Sequence, residues 1–197
     1  GLDSREPSTE ARNKEALAHG RNVMGEIIQE IRQAISYLEQ RQDVDPKKIG
    51  MTGMSFGGIT TFYTWLVDDR IAAAAPICGG IGSVKTFLEK GARGYHGIYW
   101  WVPGMLIRGD QGDFAAAQAP RPLMLWAPLD DIGMPREGVD EFLTLQGALH
   151  TDDLVTSFRE DVVGGGMRVL KKKNTSHGST VRDYERTSKT LPYSGTS

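Results

Sequence analysis

Residues 49–58 read Ile-Gly-Met-Thr-Gly-Met-Ser-Phe-Gly-Gly, and no other stretch limits the fold of this chain as tightly. A short apolar run leads into Gly-x-Ser-x-Gly, and a helix-like run leads out. A serine in that context occupies a sharp, strained turn between a strand and a helix, a nucleophile elbow with the hydroxyl exposed. Gly53 and Gly57 suit the turn, because a side chain at either is expected to crowd the place where strand and helix backbones come close. The competing reading is a glycine-rich loop beside a buried strand.

The rest of the chain fits such a strand-to-helix unit. Residues 1–13 are polar and read as a loop or frayed end. Over residues 15–40, Met24, Ile27, Ile28, Ile31, Ile35 and Leu38 recur at spacings of three and four, the mark of one amphipathic helix. Val44-Asp45-Pro46 ends it, since a residue before proline avoids the helical region. Residues 48–52 read as a buried strand and 57–67 as the next helix. A turn at 68–70 leads to a second buried strand over 71–78. A third strand is predicted at 123–127, a helix at 136–146, and a fourth strand at 167–170 behind the glycines at 164–166. A helix after Thr180 has only weak apolar periodicity. Apolar runs without alternation fit strands covered on both faces. The order implies an α/β fold, a mostly parallel sheet flanked by helices, in a single domain over 1–197 with an aromatic-rich insert at 79–118.

Composition excludes several functions. The net charge of −2 provides no electrostatic footprint for nucleic acid or an anionic membrane surface. Lys171-Lys172-Lys173 is short and reads as a solvated strand end. The single cysteine, Cys78, permits no disulfide within the chain and no cysteine-based zinc site, and reads as a small buried residue. No apolar run is long enough to cross a membrane as a helix. No signal segment is visible, but the chain starts with Gly1 and a removed signal stays open; a soluble chain is expected and its compartment is left open, with the cytoplasm favoured.

A serine hydroxyl attacks poorly unless a base takes its proton, usually a histidine oriented by a carboxylate. In parallel α/β sheets such groups gather at the carboxyl ends of strands. Asp130 and Asp131 both follow the third predicted strand; Asp131, four residues before Pro135, is favoured. Either could instead be a turn residue or a helix cap. Asp110 and Asp113 lie in a polar loop. Of the four histidines, His19 precedes the long helix, His96 lies in the insert, His150 ends a helix and His177 follows the last predicted strand. The order nucleophile, acid, histidine favours His177 over His150 and His96. The Phe56 amide, next after the nucleophile, is the first oxyanion donor. A loop for the second donor is not found before the long helix. Tyr95, His96, Tyr99, Trp100 and Trp101 form either a substrate-facing wall near Ser55 or packing of the insert onto the sheet.

With elbow, acid and histidine placed, the chain resembles the α/β-hydrolase superfamily, and within it the acetyl-xylan-esterase and dienelactone-hydrolase-like serine esterases. The matching text is 43–58, Asp-Val-Asp-Pro-Lys-Lys-Ile-Gly-Met-Thr-Gly-Met-Ser-Phe-Gly-Gly, and 69–76, Asp-Arg-Ile-Ala-Ala-Ala-Ala-Pro. It continues at 95–104, Tyr-His-Gly-Ile-Tyr-Trp-Trp-Val-Pro-Gly, at 119–125, Ala-Pro-Arg-Pro-Leu-Met-Leu, and at Asp131 through Pro135-Arg-Glu-Gly-Val. The resemblance implies an α/β-hydrolase fold without its N-terminal strands, and a triad of Ser55, Asp131 and His177. It also implies ester hydrolysis through an acyl-enzyme, with Phe56, Tyr99 and Trp100 at the oxyanion and substrate positions. The implied substrate is a small-molecule ester, with no metal, no organic cofactor, no nucleic acid and no membrane; a homo-oligomer stays open. Dienelactone hydrolases carry a cysteine nucleophile where this chain has Ser55, which argues against dienelactone as substrate. Residues 144–197 match the family only through Thr175-Ser-His-Gly-Ser-Thr-Val-Arg, with Ser176 where glycine is usual. Two alternatives remain: a peptidase of the prolyl-oligopeptidase type, whose elbow shares a second glycine like Gly58, and a catalytically silent fragment that acts with a partner.

Overall fold

A computed structural model describes residues 8–128 and 131–149, with side chains to 145, and the backbone of 157–160 and 166–169. The predicted helix after Thr180 and the Lys171-Lys172-Lys173 cluster lie outside the described residues.

The predicted helix over 15–40 is two helices, α1 (Thr9–Ala18) and α2 (Val23–Glu39). Periodicity alone missed the stop and start signals between them. Gly20 takes a left-handed φ of 70° after the end of α1, and the Asn22 side chain caps α2 by accepting from the Gly25 amide at 2.8 Å. Helix α1 also overturns the loop expected before residue 14. Ser8 caps it through the Ala11 amide, and buried Asn13 accepts from the Val23 amide at 3.1 Å, tying α1 to the start of α2. The predicted apolar stripe of α2 does face the core, with Met24 and Ile35 buried and Ile28, Ile31 and Leu38 packed beside them.

Strand β1 (Gly50–Met54) then leads into α3 (Phe56–Val67) and β2 (Ala73–Ile77). The strands pair in parallel, Gly50 opposite Ala73 and Met54 opposite Ile77. Residues 123–126 extend the sheet beyond β2 through two parallel bridges, Ala74 with Leu123 and Ile77 with Trp126. The order is therefore β1, β2, then the third predicted strand, all with their carboxyl ends at one edge.

Helix α3 lies against both β1 and β2. Its residues from Gly58 to Trp65 are all buried, which is why this helix is apolar on every side. Phe62 meets Phe142 of the later helix α7 with ring centroids 5.9 Å apart. The other face of the sheet stays open among the described residues, with Thr52, Met54, Ala73 and Met124 exposed. Strand β1, expected to be buried, accordingly alternates between exposed and half-buried positions, because it is a sheet edge covered on one face.

The insert folds as short helices, α4 (Val84–Glu89), α5 (Met105–Arg108) and α6 (Gln111–Ala116), with a 3₁₀ turn at Ile98–Trp100. Helix α7 (Arg136–Leu149) follows as predicted. The predicted fourth strand, β4 (Gly166–Val169), does not join the parallel sheet. It pairs antiparallel with an unforeseen strand, β3 (Ser157–Glu160), because a partner close in sequence can be reached by a simple reversal of the chain.

The far end of α3 is an ionic corner. The Asp68 carboxylate accepts from Arg70 at 2.6 and 2.8 Å, from the Arg70 amide at 3.1 Å and from Arg32 of α2 at 3.1 Å. Arg70 also reaches Glu39 at 2.7 Å, and Arg121 donates to the Asp68 and Ile71 carbonyls at 2.9 and 3.0 Å. These bonds fasten α2, the end of α3 and the entry to β2 together.

Candidate active site

The turn between β1 and α3 holds Ser55 at φ 55°, ψ −115°, outside the regions that non-glycine residues favour. Such a backbone costs on the order of 1–3 kcal/mol and persists only where the surroundings enforce it. Here the Ser55 amide donates to the Ile77 carbonyl of β2 at 2.9 Å, and the Ser55 carbonyl accepts from Gly58 and Ile59 at 2.9 and 3.1 Å. Ser55 occupies the N-cap position of α3, where a serine side chain normally caps the helix. Its side chain makes no cap bond and is exposed. The hydroxyl is thus presented above the carboxyl end of β1 rather than turned into its own helix.

Close backbone approach explains the glycines, but not as the sequence suggests. A Cβ on Gly53 would lie 2.5 Å from the Gly57 carbonyl oxygen, whereas a Cβ on Gly57 would meet nothing within 4 Å. The crowding expected at both positions is confined to Gly53, with Gly57 supplying only the backbone it approaches. Gly58 is equally constrained, because its Cβ would fall 2.6 Å from the Ile77 carbonyl. Packing against β2 therefore accounts for the second glycine of the elbow.

The end of β2 adds a component that the motif did not reveal. Cys78 is also left-handed, at φ 58°, and Gly79 follows at φ 93° with room for no Cβ between Ser55 and Ile59. The available signal was the Cys-Gly-Gly sequence directly after an apolar strand. Cys78 is half-buried rather than buried. Burial, and then the charge of Asp131, push its thiol up to about 11, so it stays protonated at neutral pH.

Asp131 follows the 123–126 segment at the same edge of the sheet. Its carboxylate accepts from the Gly133 amide at 2.7 Å, and its backbone carbonyl from Met134 at 3.3 Å. Its charge reaches both Cys78 and His96. The structure thus places Ser55, Cys78 and Asp131 on loops that leave adjacent parallel strands. Asp130, His150 and His177 lie outside the described residues. Asp110 is taken up elsewhere, capping α6 and accepting from the Val84 amide at 2.8 Å.

The aromatic insert divides into two parts. Tyr99 packs edge-on against exposed Phe56 with centroids 4.8 Å apart, beside the elbow. Trp100, expected at the substrate, is fully buried and donates its indole N–H to the Gly79 carbonyl at 3.1 Å. It offers no surface to a ligand. His96 stacks on Trp100 at 4.3 Å and donates from Nε2 to the Gly133 carbonyl. Since a carbonyl can only accept, that nitrogen carries the proton, which leaves Nδ1 as the acceptor of the ring. Among the described residues, no cluster of three or more His, Cys, Asp or Glu side chains could hold a metal, and no helix is long and apolar enough to cross a membrane.

Comparison with known proteins agrees with this geometry. The model of the Dienelactone hydrolase family matches residues 3–102. The Bacillus subtilis (strain 168) protein YtaP, provisionally described as a hydrolase, is 31% identical over 128 residues, covering 65% of this chain and 42% of YtaP. The chain therefore spans less than half the length of that relative. Two solved structures share the fold at a TM-score of 0.59 and 18% identity. One is a protein from Bacteroides fragilis provisionally described as an acetyl xylan esterase, with 76% of this chain and 39% of that one covered. The other is a carbohydrate esterase family 15 glucuronoyl esterase from Caldicellulosiruptor kristjansonii, with 80% and 48% covered.

Proposed function

Because this chain belongs to the dienelactone hydrolase family, we propose that it carries the nucleophile and acid of a serine hydrolase that cleaves a carboxylic ester through an acyl-enzyme. One observation carries the reading: Ser55 is exposed, left-handed and not used as a cap, between a parallel strand and the helix that follows. A serine kept in that state is strained for a purpose other than closing its own helix.

In this reading Ser55 Oγ attacks the ester carbonyl while His177 takes its proton, and Asp131 holds the imidazole in the required tautomer. The oxyanion forms at the start of α3. There the Phe56 amide has no intrahelical partner, and the helix dipole favours negative charge. His177 then returns the proton to the leaving alcohol, and water repeats the sequence on the acyl-enzyme. The Phe56–Tyr99 edge pair borders the attack site, so the ester group nearest it is apolar or aromatic. Serine replaces the cysteine of true dienelactone hydrolases, which points to simple esters rather than dienelactones. The acetyl xylan and glucuronoyl esterase structures share the fold, which makes sugar esters the first substrates to assay.

A fluorophosphonate probe should label Ser55, and Ser55→Ala should abolish both labelling and turnover of a short-chain p-nitrophenyl ester. Labelling at another residue, or full turnover by the alanine variant, would refute the assignment. Among the described residues, the open face of the sheet and the unpaired edge of β1 favour a second reading, a hydrolase-fold chain that is silent without a partner. A cooperatively folding monomer that the probe fails to label would select it.

A further inference from the structure

The stacked His96–Trp100 pair touches both halves of the site, which no motif links. On one side, Trp100 donates to the Gly79 carbonyl at 3.1 Å, and Gly79 is wedged against the Ser55 carbonyl and the Ile59 amide. On the other side, His96 donates to the Gly133 carbonyl, and the Gly133 amide donates to Asp131 at 2.7 Å. The two rings are nearly parallel, with an 11° interplanar angle, and Phe87 supports both, 5.2 Å from each. Gly80 is left-handed and leaves no space for a Cβ, which would run into His96 Nε2 and lie 2.8 Å from Trp100 Nε1. The 78–80 loop is thus pressed onto the pair. Gly133 is pressed in the same way, because its Cβ would sit 2.9 Å from the Asp131 carboxylate and 3.3 Å from His96.

We propose that His96 and Trp100 are positioning residues that form one clamp. His96 sets the Asp131 carboxylate through Gly133, and Trp100 sets the Ser55 elbow through Gly79. The proposal rests on the reading of Ser55 and Asp131 as nucleophile and acid. Core packing alone would need the rings but not their N–H groups. Here both N–H groups end on carbonyls of the two site loops, so the bonds, and not only the stack, fix the spacing of the site. Burial also lowers the tendency of His96 to take a second proton, which keeps Nδ1 unprotonated and the ring neutral against Trp100.

The experiment is amide hydrogen exchange on the full chain, together with kcat and KM for a p-nitrophenyl ester. His96→Phe keeps the stack and removes the donor; His96→Gln restores a donor. The Gly133 amide reads the bond to Asp131, and it should exchange about tenfold faster in His96→Phe, the size expected for the loss of one supporting hydrogen bond. It should return to within about twofold of wild type in His96→Gln, while the Phe62 amide in the core of α3 is unchanged in both. Trp100→Phe should instead speed exchange of the Ser55 amide by a similar factor of about ten and leave Gly133 alone. In turnover, His96→Phe should lower kcat about tenfold with KM within about twofold, and His96→Gln should recover it. Unchanged Gly133 exchange in a folded His96→Phe protein overturns the clamp. Failure of His96→Gln to restore Gly133, or global loosening in both variants, overturns it too, because the pair would then be core packing. A wild-type chain that neither turns over ester nor reacts with the probe refutes the hydrolase reading alone, since the exchange pattern does not depend on turnover.

Discussion

Helix α3 has two ends that solve opposite problems. At its start, Ser55 is left-handed, exposed and uncapped, and Gly53 and Gly58 approach other backbone closely. At its end, Asp68 is buried and every charge has a partner, with three donors from Arg70 and one from Arg32. The first end carries strain and reactive potential, and the second carries none of either. The difference teaches that a strained elbow is tolerated where the same helix is anchored elsewhere. Strain of on the order of 1–3 kcal/mol persists only in a site that its surroundings over-determine.

The comparison breaks most sharply in turnover. Ser55→Ala should lower kcat by on the order of 10³–10⁶-fold while the urea midpoint moves little, because the side chain makes no cap bond. A comparable loss of activity from a change at Asp68 would erase the division between the two ends.

Next in size is the ionic corner. Asp68→Asn leaves Arg70 and Arg32 without their shared carboxylate and should cost about 1–3 kcal/mol in denaturant unfolding, because both arginines stay partly solvated, with kcat per folded molecule unchanged. The arginines, Arg70 first, hold the Asp68 carboxyl far below the usual carboxylate range. A depressed folded pKa means that the unfolded chain binds the proton first. The corner therefore contributes fully above about pH 4–5 and loses its contribution as the pH falls toward the folded value. Acid titration of stability should be shallower in Asp68→Asn than in wild type, and an unchanged slope would show that the corner is not the acid-sensitive element.

The elbow glycines give the third contrast. Gly53→Ala drives a Cβ into the Gly57 backbone and should destabilise by about 1–3 kcal/mol as an overpacking change. Gly57→Ala meets open space inside a helix and should stabilise by about 0.5–1 kcal/mol. Equal costs at the two positions would restore the symmetric reading of the motif. Ser55→Gly is expected to stabilise by a similar amount, about 1 kcal/mol in the same unfolding assay, because glycine takes positive φ without penalty. A destabilised glycine variant would show that the Ser55 side chain supports the turn.

Much of this was legible locally. The elbow, the helix after it, the second strand, the third strand as a bridged segment and α7 all follow from short-range patterns of apolar residues and glycine. The errors also share a physical origin. Periodicity ran across His19-Gly20-Arg21-Asn22 because cap residues carry no hydrophobic phase. An apolar strand such as 48–52 suggests two covered faces, yet how many neighbours it has is decided by other segments. The partner of β4 was missed because pairing depends on what lies opposite, not on the strand itself. His96 and Trp100 read as either wall or packing, since burial of an aromatic ring cannot be told from its neighbours in sequence.

What the sequence by itself determined is the turn: a serine in Gly-x-Ser-x-Gly, between an apolar strand and a helix, fits a sharp strand-to-helix connection, because glycine lets the two backbones come close. What only the tertiary structure decided is the company that turn keeps. Asp131, Cys78 and the His96–Trp100 pair reach it through the parallel order of strands and through hydrogen bonds to carbonyls far away in the chain, and contacts of that kind leave no periodic trace in the residues that make them.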